Sequence, residues 1–382
     1  MTVGIIVEYN PFHNGHLYHI EKIKEMYPDA TIVAVMSGNF TQRGEASILN
    51  KWDKTELALF YGVDLVVELP FVFATQSADI FAKASIELLT HLNIDVLVFG
   101  SETNNIKLLT DIAHIQLNDK KYNKLVEEYL KEGINYPTAL SKALFTITGK
   151  NINKPNDILG LSYIREIIRQ GSNIKPICIK RNNDYNSKEL NDNITSATSI
   201  RYALERNEDI SNYVPSFTNE KLKNKLIFTN DFFPFLKYKL LTDQNLDNYQ
   251  TVEEGIENRF LKYIVSSKSL EEFMLKIKTK RYTYSKLNRM FLHILVSFTK
   301  EEAENFQNNE YIRILGFNYK GKEYLNKIKN DLEIPLVVKF ASIKNPILDL
   351  EFRSTCLYAS VLDEVEKQKV IEAEYKNGPI MY

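Results

Sequence analysis

Two histidines lie two residues apart in the run Pro11-Phe12-His13-Asn14-Gly15-His16, directly after the apolar run Val3–Val7. Imidazole N–H groups can donate to phosphate oxygens, and such donors matter most where charge builds on a leaving pyrophosphate. A helix that starts here adds free backbone N–H groups and a positive dipole end. Gly15 has no Cβ and lets the backbone approach a ligand, and Pro11 stiffens the turn. The plainer alternatives are a capped helix start or a metal site. The position after a first strand, with the glycine between the histidines, favours nucleotide phosphate binding.

Other residues can complete such a site. Gly100 ends an apolar run, where a missing side chain would let adenine or ribose pack on backbone; a turn glycine is the alternative. Asn156 follows Pro155 and either caps a helix or reads adenine with its amide. Arg181, beside Lys180, can fork onto phosphates or sit solvated. Ser196, Thr198 and Ser199 precede a helical pattern and can hold the β- and γ-phosphates or merely cap, with Arg201 on the first turn favouring phosphate. Glu8 can be a catalytic carboxylate, a holder of a magnesium-bound water, or a structural partner of Ser37 or Asn39. Arg43 can reach either substrate. Mg²⁺ is expected to travel with ATP, without an all-protein cage.

The elements that must position these residues are readable in outline. Val3–Val7, Thr31–Met36, Leu65–Glu68 and Val96–Phe99 are continuous β-rich runs, as in parallel strands buried on both faces. Helical patterns at Lys51–Tyr61, Ala78–Leu92 and Asp157–Gln170 separate them, and a fifth strand fits Ile174–Ile179. Ile106–Thr148 reads as helices over the sheet or a lid. The fold class is therefore α/β, a Rossmann-like parallel-sheet domain over residues 1–205, followed by a mostly helical domain over 206–382. Short strands are expected at Tyr311–Leu315 and Leu336–Phe340.

With 382 residues, each half can bury its own core. A net charge of -1 excludes a globally basic coat but not a local basic face. Cys178 and Cys356 form no CxxC unit, which argues against a zinc or disulfide framework. No run approaches the roughly 20 apolar residues of a membrane span, and the expectation is a soluble cytoplasmic protein without a membrane or obligate protein partner. Residues 273–299 hold no Asp or Glu. They carry Lys276, Lys278, Lys280, Arg281, Lys286 and Arg289, with Tyr282 and Tyr284 between them. Cations neutralise phosphates and tyrosines stack on splayed bases, so an RNA contact at Lys278, Lys280, Arg281, Tyr282, Lys286 and Arg289 is expected over a merely solvated face.

His13-Asn14-Gly15-His16 is an HxGH motif, and the longer run from Val7 to His16 resembles the bacterial tRNA(Met) cytidine acetate ligase family. Further matches are Met36–Glu45, Gly62–Pro70, Phe99–Glu102, Pro155–Gly160 and Ser196–Arg201. Weaker ones follow at Glu254–Arg259 and Thr279–Tyr282. The resemblance implies that ATP and acetate form acetyladenylate and pyrophosphate. The acetyl group then passes to N4 of the wobble cytidine of elongator tRNA(Met). It implies ATP contacts at Ile6, Val7, Glu8, Tyr9, Asn10, Pro11, Phe12, His13, Asn14, Gly15, His16, Leu17, Tyr18, His19, Gly100, Asn156 and Arg181, with His13 and His16 catalytic. The family often has a Tyr-His pair shortly after that arginine, where this chain has Tyr185-Asn186. The HxGH core by itself also fits an adenylyltransferase acting on a small nucleotide-like metabolite; the large second domain with a basic helix argues against that.

Overall fold

The computed structural model describes residues 1–150, 152–181 and 195–382. β1 (Thr2–Val7), α1 (Asn14–Met26), β2 (Thr31–Ser37), α2 (Lys51–Phe60) and β3 (Leu65–Leu69) come first. Then follow α3 (Phe71–Ala74), α4 (Ala78–His91), β4 (Val96–Ser101), α5 (Ile106–Asn118), α6 (Lys120–Lys131), α7 (Tyr136–Thr148), α8 (Pro155–Arg169) and β5 (Lys175–Lys180). The helical stretch holds α9 (Ala197–Glu205), α10 (Ser216–Lys221), α11 (Phe233–Thr242), α12 (Ile256–Ile264), α13 (Leu270–Ile277), α14 (Tyr284–Val296) and α15 (Lys300–Asn305). The chain closes with β6 (Ile312–Phe317), α16 (Tyr319–Ile328), β7 (Leu336–Val337), α17 (Pro346–Ala359), α18 (Glu364–Lys376) and β8 (Ile380–Met381).

The sheet runs β5-β4-β1-β2-β3-β6-β7, with β8 also on β6. β1 to β5 are mutually parallel, as their continuous apolar runs predict. Alternation along β2 shows why the runs are unbroken. Val33 and Val35 enter one core, while Ile32, Ala34 and Met36 enter the other. The register pairs Val7 with Met36, so β1 and β2 end level with one another.

Residues 206–382 are mostly helical, as expected, and their strands join the first sheet. A helical unit with its own core runs from Phe233 to Ile294, but β6 then pairs antiparallel with β3 and extends the first sheet. The reason is edge protection: β3 would otherwise offer a row of unpaired backbone groups to solvent. The Leu336–Phe340 strand shrinks to two residues and a 3₁₀ turn at Phe340–Ser342.

A buried ionic cluster fastens this return. Lys51 Nζ lies 2.6 Å from Glu68 Oε1, 3.3 Å from Glu351 Oε1 and 2.8 Å from Glu374 Oε2. Arg313 adds a contact of 2.7 Å to Glu374. Three carboxylates outnumber two cations. Burial, and then the charge of Glu351, raises the Glu68 pKa, which favours a shared proton among the three carboxylates. Removing one partner from such a cluster strands the others. Lys51→Ala is expected to lower unfolding free energy by about 3–5 kcal/mol. Urea unfolding measures this, and a loss below about 1 kcal/mol, the scale of an exposed pair, would show that the cluster does not hold the C-terminal helices.

Candidate nucleotide site

The HxGH loop begins where β1 ends. Tyr9 takes a positive φ of 48°, a conformation unusual for a bulky residue, and is held there by packing. Its ring lies 4.8 Å from Phe12 and 4.9 Å from His16, edge-on to both. Phe12 is fully buried and stacks on Tyr61 at 4.8 Å. Asn10 donates to Ala46 O at 3.2 Å and accepts from Ile48 N at 2.9 Å, which pins the loop to the next segment.

His13 is the N-cap of α1. Its Nδ1 accepts from Gly15 N at 3.0 Å, and His16 Nδ1 accepts from His13 N at 3.2 Å. Capping and ligand binding are therefore not alternatives. A ring nitrogen that accepts from backbone N–H carries no proton, so the network assigns the proton of each neutral ring to Nε2. Burial, then the charges of Arg181 and Arg201, brings His13 down to about 3. Burial also takes His16 well below its usual value and His19 to about 4. The site thus presents neutral Nε2–H donors. The two rings of the motif are 3.8 Å apart, and both line a cleft of about 980 Å³.

Ile6 to Asn10, His13, His16 and His19 line that cleft. Leu17 packs into the core behind it, and Asn14 turns away to donate to Asn212 O at 2.9 Å. Gly100, Asn156 and Arg181 join from the β4–β5 side. Arg181 Nη1 donates to Asn156 Oδ1 at 3.0 Å, and Asn156 Nδ2 donates to Glu102 Oε1 at 2.7 Å. Asn156 is not the cap of α8; Lys154 occupies that position. A Cβ on Gly100 would meet Arg181 Cδ at 2.9 Å, so this glycine makes room for the arginine stem. Ser196 caps α9 by accepting from Ser199 N at 3.1 Å, and both serines are buried at that helix start. Thr198 does line the cleft. Arg201 donates to Asn10 O at 2.8 Å and pairs with Glu45 at 2.7 Å. Tyr185-Asn186 lies outside the described residues.

Lys54 escaped sequence reading. Its ammonium is buried and lies 2.9 Å from Glu8 O, 2.9 Å from Ser37 O, 2.6 Å from Gly38 O and 3.0 Å from Ser47 Oγ. Burial pulls its pKa down to about 7, while four oxygen acceptors favour the form with three N–H donors. The available signal was spacing: Lys51, Lys54 and Ala58 share the buried face of α2. Glu8 Oε1 accepts from Gln42 N at 2.6 Å, not from Ser37 or Asn39, and Arg43 lines the cleft.

The helical unit supplies the opposite wall. Glu253 and Glu254, outside the acid-free stretch, pair with Lys286 at 3.0 Å and Arg281 at 2.5 Å. Tyr282 is only 5% exposed and its hydroxyl donates to Glu254, which corrects its expected stacking role. Lys278 donates to Thr279 O at 2.5 Å, and Lys280 is exposed. Arg289 faces the cleft and donates to Gln42 O at 3.1 Å.

A parallel sheet, a cap-forming imidazole pair and a cleft at the strand ends define a nucleotidyl transferase, and a family model described as HIGH Nucleotidyl Transferase matches residues 1–373. The chain is 42% identical over 394 residues to the tRNA(Met) cytidine acetate ligase of Caldicellulosiruptor saccharolyticus, covering 99% of this chain and 98% of that one. It is 41% identical to the protein of the same name from Geobacillus sp., covering 100% and 99%. A crystal structure of Thermotoga maritima TmcAL bound with alpha-thio ATP is similar at a TM-score of 0.91 and 32% identity, over 100% of this chain and 99% of that one. The chain belongs to the tRNA(Met) cytidine acetate ligase family.

Neutral buried histidines carry a pH signature. His19 has a folded-state pKa below its unfolded one, so the unfolded chain binds more protons between about 4 and 6.5, and stability falls with pH across that window. Relative to His19→Gln, the wild type is expected to lose up to ~1 kcal/mol per pH unit there. Unfolding measured at pH 6.5 and pH 5 tests this; parallel changes in the two proteins would contradict a neutral buried ring.

Proposed function

We propose that the cleft binds ATP, activates acetate as acetyladenylate and transfers the acetyl group to N4 of the wobble cytidine of elongator tRNA(Met). One observation carries this reading: two neutral imidazoles, fixed through Nδ1, offer Nε2–H donors at a helix start. In the first step an acetate oxygen bonds to the α-phosphorus. The bond to the β-phosphate bridging oxygen breaks, and pyrophosphate leaves. The imidazole donors meet the charge that develops on it without themselves changing protonation. Arg181, steered by Asn156, would add a permanent cation. In the second step the cytidine amine bonds to the acetyl carbon, AMP leaves with the carbonyl-bound oxygen, and the amine gives up one proton.

Mg²⁺ would arrive on the phosphates and offset their charge. Among the described residues no group of three metal-ligating side chains forms a cage, which fits an ion held chiefly by ATP, with Glu8 at the cleft wall as a carboxylate partner. Lys278, Lys280, Arg281 and Lys286 would meet the tRNA backbone. The ion pairs of Arg281 and Lys286 are surface pairs that cost little to exchange for phosphate. Among the described residues no helix is long and apolar enough to cross a membrane, and the reading places the enzyme in the cytoplasm with its RNA.

Radiolabelled acetate, ATP and bulk tRNA provide the direct test, and an unlabelled tRNA fraction would sink the reading. His16→Ala is expected to slow acetate-dependent ATP–pyrophosphate exchange by about 100- to 1000-fold while leaving tRNA affinity nearly intact. Equal exchange rates in wild type and variant would remove His16 from the chemistry. Lys280→Ala combined with Arg281→Ala should weaken tRNA binding and reduce its log–log salt slope by about 2, with exchange spared. An unchanged slope would take both residues off the RNA face.

A further inference from the structure

Arg289 differs from Arg281 and Lys286, the two other cations of α14 and its approach that line the cleft. Arg281 and Lys286 each have a carboxylate partner. Arg289 has none within ion-pair distance among the described residues, although it lies deeper. Its Nε is shielded from solvent and meets no acceptor there, and Nη1 has only the carbonyl of Gln42 at 3.1 Å. Burial alone drags this guanidinium down to about 10. Burying a charge without a counter-ion is costly. The cost is removed if an anion occupies the cleft beside it, and a guanidinium is shaped for a carboxylate or phosphate.

The surroundings indicate which anion. Arg181 and Arg201 are the cations whose charges lower His13, and Arg181 also lowers His16, which places these two beside the imidazoles. The cleft therefore has two cationic walls, and the imidazole wall already suits the triphosphate. Arg289 belongs to the other one. It stands behind Gln42, whose N–H is bonded to Glu8 at 2.6 Å and whose amide donates to Gln76 O at 2.8 Å. Gly44 fixes this arrangement. Its φ is +72°, and a Cβ there would sit 2.4 Å from Arg289 N, so the loop is pressed onto α14.

We propose that Arg289 is the carboxylate receptor of the cleft, binding the acetate anion beside Gln42 while the triphosphate lies along the imidazole wall. This inference rests on the acetate-activating function above. The test is ATP–pyrophosphate exchange by the full-length protein without tRNA, at varied acetate and varied ATP. Arg289→Lys and Arg289→Met should raise the KM for acetate by about 10- to 100-fold. The KM for ATP should stay within about twofold. Without acetate, Arg289→Met should melt no lower than the wild type, because it removes an unpaired buried charge, and added acetate should no longer raise its melting point. A structural arginine would instead give a destabilised variant with an unaltered acetate KM, which overturns the proposal. An unchanged acetate KM with a raised ATP KM would reassign Arg289 to the triphosphate. An unchanged exchange reaction with weaker tRNA acetylation would return it to the RNA. If the wild type shows no acetate-dependent exchange, the function itself fails, and that result is distinct from the others.

Discussion

The site is organised around one ammonium group. Lys54 Nζ gathers the carbonyls of Glu8, Ser37 and Gly38 at the level ends of two parallel strands. Carbonyls at neighbouring strand ends have run out of ladder partners and repel one another when buried. A cation among them satisfies all of them and turns both chains outward in a fixed direction. The HxGH loop departs from one of those ends and the Gln42 loop from the other. Their relative position, and with it the distance across the cleft, depends on that contact. No imidazole or arginine of the site would be correctly aimed if the two strand ends drifted.

A second constraint shapes the chemistry. The histidines are donors without being acids. Because Nδ1 of each is committed to the helix start, the ring cannot rotate or change tautomer without breaking a cap. Permanent positive charge comes instead from arginines, which do not titrate near neutrality. Orientation and charge are thus delegated to different residue types.

Much of this was legible in the sequence because it rests on local rules. Unbroken apolar runs gave β1 to β4, and the placement of His13, Gly15 and His16 after the first of them gave the nucleotide loop. Contacts between distant segments were not legible. Nothing local marks Glu253 and Glu254 as partners of Lys286 and Arg281, so an acid-free stretch looked more basic than it is. Tyr282 looked available for stacking because aromatic character is visible in sequence and burial is not. Ser196 and Ser199 obey a capping rule that was known in advance, and their hydroxyls lie 2.8 Å apart. The return of β6 to β3 was not legible, since no periodicity tells a strand which sheet it will join.

The ionic cluster has a bearing on how the protein is made. Lys51 and Glu68 leave the ribosome long before Arg313, Glu351 and Glu374, yet all five share one dry pocket. During synthesis the early pair waits with its opposite numbers unmade, and the outer edge of β3 stays bare until Ile312–Phe317 arrives. The buried charges and the sheet edge of the nucleotide half thus find their partners only in the last segments to be synthesised.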